Sequence, residues 1–152
     1  MALDYLERAS RTLEEAGNAF KSKDYPLAIR RSQEAVELSL KAVLRFLAIE
    51  YPREHDLRDV LLEAASSREL PKWFKAEVEF MANLSSDLAR KRGPAFYGDE
   101  AALRPPSSLF TKEDASNALR GAERVHKNSK RLIVPQSRIE APSFRFIFLR
   151  PF

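Results

Sequence analysis

Residues 35–49 read AVELSLKAVLRFLAI. Wound as a helix, this stretch is apolar on most sides, and such a helix is stable only with other elements packed around it. It predicts the centre of a bundle. The flanking sequence supplies the neighbours. Leu6, Ala9, Leu13, Ala16 and Phe20 recur at spacings of three and four, which draws one apolar stripe along an N-terminal helix. Ser22-Lys23-Asp24 ends that helix, and Asp24, with Pro26 just behind it, is a start signal for the next. The central helix is predicted from Tyr25 to Ile49, closed by Tyr51-Pro52.

The pattern continues in the same style. A short helix is predicted from Asp56 to Ala65, with a break at Ser66-Ser67. A fourth starts at Pro71, turns Trp73, Phe74, Met81, Leu84 and Leu88 inward, and is expected to stop at Arg92-Gly93-Pro94. Residues 93–110 are then a long connection, a length that is uncommon inside a compact domain and often functional. Thr111 with Asp114 three residues on has the spacing of a capping box. The last helix carries Ala115, Ala118, Ala122, Val125, Ser129 and Leu132 at alternating spacings, a narrow seam of small residues that lets another helix approach closely. Pro135 is expected to end it. The closing FRFIFLRPF is apolar, aromatic and strand-like. The fold class is therefore all-α: an antiparallel bundle of four or five helices over residues 1–134. An extended apolar tail over 135–152 packs on the bundle or on a second subunit.

Composition narrows the chemistry. A single domain of 152 residues buries roughly 70% of its unfolded surface, enough for a core without staples. With 32% charged and 44% hydrophobic residues, the chain suits a soluble globular protein. There is no cysteine, which excludes disulfides, thiol nucleophiles and thiolate metal sites. Two histidines, His55 and His126, leave little for an imidazole site, so neither metal nor cofactor is expected. No run of 18 apolar residues and no signal-peptide pattern occurs, so no membrane association is expected and the location is read as cytoplasmic. The net charge of +4 is uneven: residues 1–90 hold 14 Lys/Arg against 16 Asp/Glu, residues 91–152 hold 12 against 6. A basic C-terminal third suits an anionic partner such as RNA or a nucleotide.

Three groups of polar residues stand out. Gln33, Glu34, Glu37 and Lys41 interrupt the apolar central helix; they serve either as a polar edge on a core helix or as a ligand contact. His55, beside the helix-capping Asp56, either orders the junction between two helices or titrates in catalysis. Arg90, Lys91 and Arg92, followed by Phe96 and Tyr97, join charge to stacking surface, the combination that binds single-stranded nucleic acid. The competing reading is a helix C-terminus neutralised by cations.

Three segments together resemble the HEPN domain family of small helical bundles: DYPLAIRRSQEAVELSLKAVLRF at 24–46, EHDLRDVL at 54–61 and ARKRGPAFYGDE at 89–100. The resemblance covers residues 1–134. It implies a homodimer and a separate small nucleotidyltransferase as partner, in a toxin–antitoxin-like pair. It also implies a place to look for ribonuclease chemistry, because active members carry an arginine, four to six residues, then a histidine. That chemistry uses the ribose 2′-hydroxyl, with histidine moving protons and arginine holding phosphate.

Arg120 and His126, in RGAERVH, fit that spacing. Gly121 stands where the family's active motif has a polar residue. In a regular helix, positions six apart differ by about 240° and do not share a face. Arg120, Arg124, Lys127 and Arg131 also form one basic stripe, a pattern that a solvated face explains. In the comparable segment Arg92 is followed at the histidine position by Tyr97, whose phenol is a poor base at neutral pH. The sequence therefore reads as a non-catalytic or degenerate binding or accessory protein. Arg90, Lys91, Arg92 and Tyr97 are its candidate binding residues. The alternatives are a metal-independent ribonuclease through Arg120 and His126, and a structural dimerisation module.

Overall fold

The computed structural model describes the backbone of residues 1–148 and the side chains of residues 1–134. Five α-helices follow one another: α1 Ala2–Lys21, α2 Tyr25–Phe46, α3 Arg58–Ser67, α4 Lys72–Tyr97 and α5 Lys112–Phe148. A single 3-10 turn, Pro106–Ser108, lies between the last two.

Helix α2 is the hub. Ala28, Ile29, Ala35, Val36, Leu40, Ala42, Val43 and Leu44 are buried on it, and α1, α4 and α5 all pack against it. This is the arrangement that the all-round apolar stretch requires. The α5 seam is buried at each of Ala115, Ala118, Ala122, Val125, Ser129 and Leu132. Gly121 continues that closeness toward α4: a Cβ there would sit 2.7 Å from the Leu84 Cδ2. The reciprocal cap at the start of α5 is formed: Thr111 N donates to Asp114 Oδ2 at 2.8 Å, and Asp114 N to Thr111 Oγ1 at 3.1 Å. Asp24 does two jobs in the tight α1–α2 connection. Its N–H closes the end of α1 on the Ala19 carbonyl at 2.9 Å, and its Oδ1 accepts from Leu27 N at the start of α2.

The segment leading into α3 is pinned residue by residue. His55 meets Glu37 of α2. Asp56 accepts from Arg58 N and from the Ser86 hydroxyl of α4, both at 3.0 Å. Leu57 is fully buried and its N–H donates to Ser85 Oγ at 2.9 Å. This short element fixes how α3 and α4 sit on α2.

Helix ends differ from the expectation in four helices: α2 closes at Phe46 and not Ile49, and α3 spans Arg58–Ser67, taking in the Ser66-Ser67 expected as its break. Helix α4 does not stop at Arg92-Gly93-Pro94 but runs to Tyr97. Pro94 removes a single N–H from the ladder, and with three residues left to the end that loss is small. Gly98, at φ 74°, turns the chain out of the helix instead. Likewise α5 passes Pro135 and continues to Phe148, so the backbone there is helical and not the extended tail expected. Each of its two prolines, Pro135 and Pro142, costs about 3 kcal/mol locally, which a helix of 37 residues tolerates where its other hydrogen bonds persist. The packing expected of residues 135–152 on the bundle or on a second subunit lies outside the described side chains. Among the described residues no helix is long and apolar enough to cross a membrane.

Candidate functional site

The charged and amide residues Gln33, Glu34, Glu37 and Lys41 fall on one side of α2, and the rest of the fold converges on them. Gln33 is 2% exposed. A buried amide must be satisfied, and this one is satisfied at both ends: its Nε2 donates to Glu37 Oε1 at 3.1 Å, and its Oε1 accepts from Arg92 Nη1 of α4 at 2.9 Å. Glu37 also accepts from Lys41 Nζ at 3.0 Å and from His55 Nδ1. Burial by itself raises the Glu37 pKa, but the hydrogen bonds from His55, Gln33 and Lys41, with the Lys41 charge, outweigh it and hold the carboxyl below its ordinary value. An ionised carboxylate only accepts, so His55 Nδ1 carries a hydrogen. Nε2 is left as the ring's other polar atom, on a side chain 52% exposed.

Glu34 is neutralised in the same manner. Arg31 reaches it with two contacts of 2.9 Å, and Arg92 lies 3.8 Å away. Arg31 extends the chain to Glu15 of α1 at 2.9 Å. The acidic residues of the stripe are thus each held by cations.

Beside this network opens a cleft of about 480 Å³ lined by Arg30, His55, Ala89, Arg92, Gly93, Phe96 and Tyr97. Its lining carries two guanidiniums and an imidazole and no carboxylate. Phe96 is 52% and Tyr97 64% exposed, unusual for large apolar side chains. The Arg30 guanidinium lies 4.3 Å from the Phe96 ring centroid. Cations beside open aromatic faces suit a phosphate carrying a planar base.

The residues expected from the sequence divide here. Arg92 and Tyr97 line the cleft. Arg90 and Lys91 do not: Lys91 pairs with Asp87 at 2.9 Å, and Arg90 lies 3.6 Å from Asp87 and 3.3 Å from Ser86 Oγ. Arg120 donates to Ser116 Oγ at 2.9 Å on an exposed part of α5. Near it Arg124 grips Glu77 of α4 and covers the Phe80 ring at 3.9 Å, while Arg131 covers Trp73 at 4.0 Å. His126 faces the opposite neighbour. It is half-buried against α1, its Nε2 3.2 Å from the Leu6 carbonyl, in a pocket with Leu3, Glu7 and Lys130. Burial lowers its pKa. Within one chain Arg120 and His126 are not brought together. Arg30 was not singled out from the sequence; the signal was its position three residues before Gln33 on the stripe already visible at 33, 34, 37 and 41.

The sequence profile of the HEPN domain matches residues 2–132. The "Putative toxin MJ1304" of Methanocaldococcus jannaschii is 30% identical over 125 residues, covering 80% of each chain. The crystal structure of ST0689, an archaeal HEPN homologue, superposes with a TM-score of 0.65 at 26% identity, over 88% of this chain and 98% of that one. TT1696 from Thermus thermophilus shares the fold, with a TM-score of 0.66 at 23% identity over 86% and 96%. A bundle hub bearing one polar stripe, a pinned His-Asp-Leu entry to α3, and a profile match over nearly the whole chain lead to one conclusion: the protein belongs to the HEPN domain family.

Proposed function

We propose that this protein is a toxin-like HEPN protein whose cleft binds the phosphate and base of RNA or a nucleotide. In this reading it works in the cytoplasm as a homodimer and is paired with a separate nucleotidyltransferase. The observation that carries the binding role is the cleft itself. Arg92 is held in place by Gln33 and Glu34, Arg30 stands over Phe96, and Tyr97 is open to solvent, with no carboxylate in the lining. Arginine fixed before the ligand arrives loses little entropy on binding. The toxin context is supported by the relative from Methanocaldococcus jannaschii. The test is titration of a labelled RNA dinucleotide. Arg92→Gln and Arg30→Gln each weaken binding about tenfold or more, while Arg120→Gln leaves it unchanged. Equal affinity across all four proteins removes the cleft as the binding site.

A second reading, a metal-independent ribonuclease, is favoured by the Glu37–His55 pair. The carboxylate orients the imidazole by one nitrogen and leaves the other for proton transfer, in the same cleft as Arg92. Arg120 and His126 would need a second chain to set one beside the other. Cleavage of RNA in excess EDTA separates these possibilities. Loss in His55→Ala alone places the chemistry in the cleft; loss in His126→Ala and Arg120→Ala places it on α5; no cleavage by any form leaves binding as the function.

A further inference from the structure

The polar stripe of α2 does not end at Lys41. Arg45 follows one turn later on the same face, and it leads to a second cluster of cations and aromatic rings. Arg45 Nε donates to the Tyr51 hydroxyl at 3.0 Å. Its guanidinium lies 5.6 Å from the Tyr51 centroid and 5.4 Å from that of Tyr5 on α1. Lys41 approaches Tyr51 at 5.5 Å, and Arg8 approaches Tyr5 at 5.4 Å. Arg45 and Tyr51 open with Arg53 onto a depression of their own. Among the described residues Arg8, Arg45 and Arg53 make no ion pair with a carboxylate, unlike Arg31, Arg92 and Lys41.

The two clusters are continuous. Arg8, at the Tyr5 ring, also lines the groove that holds Glu37, His55 and Arg92, and Lys41 joins Glu37 to Tyr51. From Arg30 to Arg45 the helix rises about 22 Å, the span of about four nucleotides of an extended single strand. Along it come Phe96, then Arg92 and His55, then Tyr51 and Tyr5, so cations alternate with ring faces. Of the carboxylates on the way, Glu15, Glu34 and Glu37 are already neutralised, and Glu50 shares the second depression with Arg45 and Arg53. A mononucleotide would use one end of this track.

We infer that the chain binds single-stranded RNA along α2, with the Tyr5–Arg45–Tyr51 cluster as a second subsite that takes a base and phosphates about three or four nucleotides from those in the Arg30–Arg92 cleft. This rests on the cleft being a nucleotide site, and the test keeps the two apart. Labelled oligoadenylates of two and six nucleotides are titrated against the wild type, Arg45→Gln, Tyr51→Leu, Tyr51→Phe and Arg92→Gln. The hexamer binds at least tenfold tighter than the dimer. Arg45→Gln and Tyr51→Leu erase about tenfold of hexamer affinity and leave dimer affinity unchanged, and Tyr51→Phe, which keeps the ring, stays within about threefold of wild type. Equal affinity for dimer and hexamer, or hexamer affinity untouched by Arg45→Gln and Tyr51→Leu, overturns the second subsite. If Arg92→Gln changes neither oligomer while Tyr51→Leu weakens the hexamer, the cleft reading falls and the second cluster stands. Polyglutamate competing as well as the hexamer overturns RNA as the occupant, and a wild type that binds neither oligomer overturns both.

Discussion

Ser32 and Ser39 sit inside the hub helix α2, fully buried, with hydroxyls that meet no partner among the described residues. A buried hydroxyl without a hydrogen bond carries a desolvation cost with no return. Ser39→Ala is expected to be neutral or to stabilise by up to about 1 kcal/mol, read as an unchanged or raised urea midpoint at constant slope. A clearly lowered midpoint would reveal a partner for the hydroxyl. Gly98 is the opposite case. At its φ of 74° a Cβ would run into the Arg104 carbonyl oxygen, which leaves no room for a side chain. The obstacle is backbone, so nothing cheap can yield. Gly98→Ala is expected to open the Asp99–Arg104 bridge and cost about 2–3 kcal/mol, with a lowered Tm as the measure.

The helices end in ways that residue type does not announce. Both α1 and α2 close with paired backbone bonds around a left-handed residue that is not glycine: Lys23 at φ 62° and Ala48 at φ 58°. In α2 the Ala48 N–H reaches the Arg45 carbonyl and the Ile49 N–H the Leu44 carbonyl, while Arg68 donates to Leu47 O at 2.9 Å. Glycine removes the Cβ strain there but adds freedom to the unfolded chain. The balance predicts that Ala48→Gly stabilises by about 0.5–1 kcal/mol, seen as a higher Tm; a lower one would mean that the cap is unstrained. At the start of α5, Asp114→Ala removes half of the reciprocal cap and is expected to cost about 1 kcal/mol, measured by chemical denaturation.

Stability of the whole bundle should fall on acidification in two stages, each owed to a long-range contact. His126 is pressed against α1, and burial lowers its pKa below the ordinary 6.5. The folded state therefore holds that proton more weakly than the unfolded chain, and stability declines as pH drops beneath 6.5 until the folded pKa is passed. Glu37, held below the ordinary 4.5 by its three donors, binds its proton more weakly when folded as well, so its contribution is lost as pH falls from 4.5 through its folded pKa. His126→Gln is expected to flatten the upper limb of a Tm-against-pH curve and Glu37→Gln the lower one. Limbs that keep their slopes in both variants would place the acid sensitivity elsewhere. Glu37→Gln should also lower stability at neutral pH by about 1–3 kcal/mol, because one of the two oxygens that accept from His55 and Lys41 becomes a donating amide and the charge is lost.

Local pattern was enough for the architecture. The apolar circumference of 35–49 dictated a central helix, and the three-and-four spacing of the α5 small residues dictated a buried seam, because burial is set by periodicity along one helix. The cap at Thr111 and Asp114 was legible for the same reason: its partners are three residues apart. The helix ends at Pro94 and Pro135 were not, since a proline removes one bond and neighbours decide whether that matters. The cleft was half legible. Its residues stood out as polar interruptions and basic-aromatic runs, but His55 meets Glu37 across 18 positions and Arg92 meets Gln33 across 59. No spacing rule pairs residues that far apart, whereas the pairing of Arg90 and Lys91 with Asp87, three and four positions back on the same helix, is a local one. The docking of α3 and α4 on α2 makes both pairs, because it brings His55 to Glu37 and turns the Arg92 face of α4 toward Gln33.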